Sequence, residues 1–316
     1  MSPPLILLGV SRSGTTLLRV IVDRSSGIAV PDESFFVPLL ARRYGKTVDA
    51  AKFLDDVARI PTIRAWGVPL EEISARVRSG MRTGDAIAAI YETYAEHAGK
   101  PRWGDKTPMY MRHLALLERL FPDAQYVHLI RDGRDAALSF LQMPEGTFTR
   151  TWAHPRTPAQ FACLWRKEVR DARALGLRLG AARYHEIRYE QLVADPEATV
   201  REICAFAGLP FEHAMLDYTE AVDVSGKPHQ QRLLTPPTTG VRSWRDDMHA
   251  DDVSAFEQIA GDLLDALGYE VRTVASTGRA RAARGWYHAR LAVWNGSAAA
   301  VQRSPLWRRR HPRLSA

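Results

Sequence analysis

Leu5-Ile6-Leu7-Leu8-Gly9-Val10 is an unbroken apolar run of strand length, ended by the turn Ser11-Arg12-Ser13-Gly14. From Thr15 to Arg24 the apolar side chains Leu17, Leu18, Ile21 and Val22 fall on one helical face. Helical periodicity returns over Asp49–Ile60, Leu70–Ser79 and Asp85–His97, the last with Ile87, Ile90, Tyr91 and Tyr94 in register. Arg102-Trp103-Gly104-Asp105 reads as a short strand, and Met111 to Phe121 as a helix stopped by Pro122. Gln125 to Ile130 predicts a further strand, followed by a helix over Asp132–Leu141. Pro158 opens a long helix to Leu179, Tyr184–Tyr189 predicts a strand, and Glu197–Ala207 and Asp251–Leu267 predict helices. Residues 144–158 and 223–247 carry no such period and predict loops. Strands that alternate with helices imply a mostly parallel sheet covered on both faces.

The chain has 316 residues, room for one large α/β domain or two small ones. No apolar run nears the length of a membrane span, and Met1-Ser2-Pro3-Pro4 lacks the basic start of a secretory signal. Two cysteines, Cys163 and Cys204, exclude a disulfide scaffold and a cysteine-built zinc module. A reducing, cytoplasmic setting is the expectation. The net charge of +7 is unevenly spread: after Glu270 there is no acidic residue, while ten arginines follow. The preceding body is net acidic, so no nucleic-acid partner is expected. The division is a domain over 1–275 and a basic appendage over 276–316, where Trp286, Trp294 and Trp307 lie among arginines. That composition fits peripheral contact with a membrane surface or an acidic partner.

Candidate chemistry begins at Gly9-Val10-Ser11-Arg12-Ser13-Gly14-Thr15-Thr16, placed between a strand and a helix. The glycine spacing is that of a P-loop, with Thr15 where the usual lysine stands. Backbone N–H groups and the helix N-terminus suit an anion, and Arg12, Ser13, Thr15 and Thr16 add donors. Without the lysine, transfer of a nucleotide γ-phosphate is disfavoured. Taken alone, the turn also reads as a helix start capped by Ser or Thr. A second motif, Arg131-Asp132-Gly133-Arg134-Asp135, follows the strand Gln125–Ile130, with Ser139 two helical turns along. Arg131 and Ser139 suit one phosphate; the alternative is a surface salt-bridge cluster.

These two motifs in this order resemble the sulfotransferases that use 3′-phosphoadenosine 5′-phosphosulfate (PAPS), and within them the tyrosylprotein sulfotransferase-like branch. Arg12-Ser13-Gly14-Thr15-Thr16-Leu17, Asp32-Glu33-Ser34, Asp105-Lys106-Thr107-Pro108, Leu120-Phe121-Pro122, Tyr189-Glu190-Gln191-Leu192-Val193 and Ser243-Trp244 all carry the resemblance, which covers residues 3 to about 268. It implies a single P-loop-like α/β domain with a central parallel sheet flanked by helices. The first motif would hold the 5′-phosphosulfate of the co-substrate and the second its 3′-phosphate.

By that resemblance Glu33 is the expected base, with Asp32 as the alternative, and Lys106 and Arg12 are the expected cations on the bridging oxygen. The cytosolic small-molecule sulfotransferases follow Lys-Thr with a catalytic histidine; Pro108 stands there and cannot take a proton. Tyr189 is expected against the adenine and Trp244 near the nucleotide, with Arg242, Arg245 or Ser225 as further donor contacts. No metal is expected. His128, Cys163 and Cys204 read as packed core. The acceptor stays open among a sugar, a glycolipid, a peptide tyrosine and a small molecule bearing a hydroxyl. Two other functions compete: a P-loop small-molecule kinase, and a catalytically inactive basic-tailed binding protein.

Overall fold

The computed structural model describes residues 2–143, 154–217, 243–272 and nine further residues between 278 and 293. The expected loop around 144–153, most of the 223–247 loop with Ser225 and Arg242, and most of the tail fall outside the described residues.

Four parallel strands form one sheet: β1 (Leu5–Leu8), β2 (Gly104–Asp105), β3 (Gln125–Ile130) and β4 (Tyr184–Arg188), in the order β2-β1-β3-β4. The helices are α1 (Thr15–Asp23), α2 (Val37–Tyr44), α3 (Ala50–Arg59), α4 (Pro61–Ala65), α5 (Leu70–Arg76) and α6 (Thr83–His97) before β2. Then come α7 (Leu114–Leu120), α8 (Gly133–Leu141), α9 (Pro158–Leu179), α10 (Tyr189–Ala194), α11 (Pro196–Ala207), α12 (Trp244–Asp247) and α13 (Ala250–Ala266).

Side chains alternate across a strand, and here the alternation sorts two cores. Leu5 and Leu7 of β1 pack with α1 and α11 on one face, joined by Val127 and Leu129 of β3. Ile6 and Leu8 pack on the other face, with Tyr126 and Ile130, against the larger helical layer that includes α2, α6, α9 and α13. Both faces of the sheet are covered at β1, which is why it reads as a continuous apolar run rather than an alternating one; β4, Tyr184-His185-Glu186-Ile187-Arg188, buries only Ile187.

Some boundaries differ from expectation. β1 ends at Leu8, because Gly9 already belongs to the turn. The segment expected as one helix from Met111 is a 3₁₀ turn over Pro108–Arg112, then α7; His113 between them has φ −128°, outside the helical range. Ser243 caps a short helix, α12, inside the span expected as loop, its side chain accepting from Arg245 N. The basic tail is not wholly separate either: Tyr287 is 1% exposed and belongs to the larger core.

Strand order fixes where a ligand goes. The chain leaves β1 for β2 on one side and crosses to β3 on the other, so a crevice opens at the carboxyl ends of β1 and β3. The two phosphate-type motifs follow those two strands.

Candidate active site

The turn after β1 folds around two left-handed residues, Arg12 at φ 75° and Gly14 at φ 92°. Ser13 N closes it on Val10 O at 3.0 Å. Gly14 is the N-cap of α1, no side chain caps that end, and the first turn holds no acidic residue. The capped-start alternative is therefore not what the chain builds: the first N–H groups of α1 face the turn, where an anion can take them. Ser13 is 1% exposed, and its Oγ is buried with no hydrogen-bond partner. A buried orphan hydroxyl in an anion-shaped turn fits a phosphate oxygen. Thr15 is buried, and its methyl lies where a Cβ on Gly9 would fall, so it packs inward.

The second motif meets the first. Arg12 Nε donates to Ser139 Oγ at 3.1 Å, and Arg131 Nη1 donates to Arg12 O at 3.2 Å. The Arg131 guanidinium lies 4.5 Å from the Tyr189 ring centroid, and its Nε is buried without a partner. Trp165 Nε1 donates to Arg131 O at 3.2 Å and holds the strand end. Tyr189 opens α10, and its ring lies so close over Gly14 that any Cβ there would overlap it. Arg12, Ser13, Gly14, Arg131, Ser139 and Tyr189 thus converge on one rim.

The rest of that motif is not a surface cluster. Arg134 is fully buried; it donates twice to Asp132, at 3.0 and 2.7 Å, and once to Glu257 at 2.5 Å. Its guanidinium lies 3.6 Å from the centroid of Trp244, which is itself 1% exposed. Trp244, expected beside the nucleotide, is therefore a core ring, with Arg245 and Arg272 each 4.8 Å from its centroid. Arg245 pairs with Glu270 at 2.7 Å. Asp135, raised to about 6 by burial, accepts from Trp244 N at 2.8 Å and fixes α12 to α8.

Glu33 and Lys106 come together from segments 73 positions apart, Nζ to Oε1 at 2.6 Å. Lys106 Nζ also lies 3.3 Å from Thr16 Oγ1, which links the pair to the first turn of α1. The Lys106 side chain is 2% exposed and Glu33 31%, so the pair opens to solvent on the carboxylate side. Burial lowers the Lys106 pKa, and the Glu33 charge opposes that shift. Asp32 pairs with Arg19 at 3.2 Å, and its charge also acts on Lys106, opposing the shift that burial causes.

Sequence reasoning missed what lies behind this pair. Ser34 Oγ donates to Asp105 Oδ2 at 2.7 Å and lies 2.6 Å from the Tyr110 hydroxyl. Tyr91 donates to the same Asp105 oxygen at 2.8 Å. The signal was present in the polar neighbours Ser34 and Asp105, each one position from a site residue. Phe35 was also missed: it is 47% exposed at φ 58°, and Met109 is 40% exposed three positions after Lys106. His128, Cys163 and Cys204 are buried, as expected.

Among solved structures, the sulfotransferase domain of the Synechococcus PCC 7002 olefin synthase shares this fold at a TM-score of 0.62, with 24% identity over 86% of this chain and 98% of that one. The sulfotransferase domain of the curacin biosynthetic pathway does so at 0.58, with 21% identity over 86% and 99%. Protein-tyrosine sulfotransferase A of Caenorhabditis elegans is 25% identical over 85% of this chain and 68% of its own length. Protein-tyrosine sulfotransferase 2 of Gallus gallus is 29% identical over 71% and 56%. Nodulation protein NoeE of Sinorhizobium fredii is 27% identical over 84% and 66%. The chain thus spans between about half and two thirds of these relatives. Its residues 3–213, carrying both phosphate-type motifs, Glu33 and Lys106, match the sulfotransferase family, and the chain belongs to that family.

Proposed function

We propose that this chain moves a sulfuryl group from PAPS to an acceptor hydroxyl, with Glu33 as base. The observation that carries the reading is the 2.6 Å pair of Glu33 and Lys106 standing beside the uncapped start of α1. The turn 9–16 would take the 5′-phosphosulfate, and Arg131 with Ser139 the 3′-phosphate. The orphan Ser13 Oγ and Arg131 Nε suit those oxygens.

The acceptor oxygen attacks sulfur in line, and its bond to sulfur forms as the bridging S–O bond breaks. Glu33, the exposed partner of the pair, takes the acceptor proton. Lys106 and Arg12 meet the negative charge that grows on the bridging oxygen, which leaves on 3′-phosphoadenosine 5′-phosphate. Lys106 gains most when Glu33 turns to the acceptor, because a buried cation then faces the leaving oxygen with less competition.

Of the acceptors left open by the sequence, a phenolic hydroxyl has most support. Phe35 and Met109 present exposed apolar surface on the two segments that carry Glu33 and Lys106. Several relatives are protein-tyrosine sulfotransferases.

The test is transfer of labelled sulfuryl from PAPS to a tyrosine peptide, a small phenol and a sugar. Glu33→Gln keeps the size of the side chain but cannot take the proton, so the rate is expected to fall about 10²–10⁴-fold. Affinity for 3′-phosphoadenosine 5′-phosphate should stay near wild type. An active Glu33→Gln beside an inactive Asp32→Asn would give the base role to Asp32.

A further inference from the structure

Glu33 stands on a loop, and its useful position depends on what holds that loop. The next residue, Ser34, is fully buried, and its backbone N–H donates to Thr107 Oγ1 at 3.0 Å. Its hydroxyl proton goes to Asp105 Oδ2 at 2.7 Å, so the Tyr110 hydroxyl, 2.6 Å away, must donate to Ser34. The Tyr110 oxygen in turn accepts from Val37 N at 3.1 Å. Asp105 Oδ2 also accepts from Tyr91 at 2.8 Å and from Thr107 at 3.3 Å. All five side chains are buried, and Tyr91 is stacked on Trp103 with ring centroids 4.5 Å apart.

Every bond in this cluster runs between the segment on either side of Glu33 and the segment on either side of Lys106, or braces one of them. Ser34 and Val37 flank the exposed Phe35, whose φ of 58° is a costly conformation for a side chain of that size. Such backbone persists only where neighbours over-determine it, and here Ser34 on one side and Val37 on the other are both tied to the 105–110 segment.

We propose that Ser34, Asp105, Tyr91, Thr107 and Tyr110 form a buried lock that holds the Glu33 loop against Lys106 and so sets the distance between base and cation. These are positioning residues: none of them touches the reacting atoms, and the lock acts through Glu33. The inference rests on the sulfotransferase reading for its effect on rate, but not for its effect on the loop.

Two variants of the full chain test it. Ser34→Ala removes the central hydroxyl, and Tyr110→Phe removes the acceptor of Val37 N without changing ring packing. In both, amide exchange of residues 33–37 is expected to rise about tenfold or more, because the amides lose their fixed acceptors or the fixed loop. Single-turnover transfer should fall about 10–100-fold, the range expected when a reacting group is misplaced by about 1 Å. Affinity for 3′-phosphoadenosine 5′-phosphate should hold within about twofold, since its contacts lie on the turn and Arg131. The decisive comparison adds Ser34→Ala to Glu33→Gln: a lock that works through Glu33 slows the double variant no further than Glu33→Gln alone. Independent, additive losses, or normal rates in both single variants, would overturn the proposal. If the wild type transfers no sulfuryl group, the functional reading fails by itself; exchange then decides the lock, and unchanged protection of 33–37 would end it.

Discussion

Asp105 shows how one buried side chain makes pH part of the fold. Its carboxyl is raised to about 6, first because burial penalises the charge, while bonds from Ser34, Tyr91 and Thr107 and the Lys106 charge oppose the shift. The groups facing it are those four and Tyr110. In the unfolded chain an Asp titrates near 3.8, so between about pH 6 and 3.8 the folded protein binds more protons than the unfolded one. The contribution of Asp105 to stability therefore grows as pH falls through that window and is smallest above pH 6. Asp105→Asn cannot titrate. Wild-type stability measured relative to Asp105→Asn should be flat above pH 6 and rise toward pH 4. A difference that stays constant from pH 7 to 4 would mean that Asp105 titrates at its ordinary value. Low pH should also weaken the lock: with a proton on the unpartnered Oδ1, the carboxyl is neutral and its Oδ2 is a poorer acceptor for three donors than a carboxylate oxygen.

At the scale of elements, the turn before α1 is the clearest case of backbone shaping a site. Gly14 needs both a left-handed φ of 92° and the absence of a Cβ under the Tyr189 ring. Gly45, which follows α2, also has a positive φ, 64°, but open space around it. Gly14→Ala and Gly45→Ala should therefore share a backbone cost of about 1 kcal/mol or more, yet differ in binding. Gly14→Ala must displace Tyr189 and is expected to weaken 3′-phosphoadenosine 5′-phosphate at least about tenfold; Gly45→Ala should leave that affinity unchanged. Equal affinities in the two variants would remove the turn from the donor site. The turn was legible in sequence because its meaning is local: a strand, a glycine-spaced turn and a helix follow one another. The strand Gln125–Ile130 and the helix Pro158–Leu179 were legible for the same reason, one as a short stretch rich in Tyr, Val, Leu and Ile and the other by its Pro158 start; the Thr157 side chain that caps the helix is seen in the structure. Ser34 and Asp105 were not, since 71 positions separate them and their segments meet only in the fold, where Ala29 pairs with Trp103. Trp244 was misread for a related reason: its partner, Arg134, lies on α8, and a tryptophan near arginines gives no hint in sequence of which face is buried.

Over the whole molecule, the question is where the folded body ends. The sequence places a boundary at 275 because the following residues are basic and lack an apolar period. Tyr287 crosses that boundary. It is 1% exposed within the larger core, near enough to Arg112 and Glu168 for their charges to act on its phenol, which burial pushes upward. Arg290 lies 5.1 Å from its ring centroid and reaches His154 O and Gln160 Oε1 at 3.5 Å each. Trp286, one position earlier, is 62% exposed, so the same short stretch turns one aromatic ring inward and one outward. Truncating a fully buried aromatic side chain to alanine costs about 3–5 kcal/mol, which for a domain of this size is a large part of its stability. Tyr287→Ala should therefore shift the urea midpoint of the full chain clearly downward, while Trp286→Ala should shift it little. Deleting 276–316 should destabilise the body at least as much as Tyr287→Ala, because it removes that ring and the Arg290 contacts together. A 1–275 fragment with the midpoint of the full chain would instead make the tail an appendage, and the inward turn of Tyr287 would count for nothing in the stability of the domain.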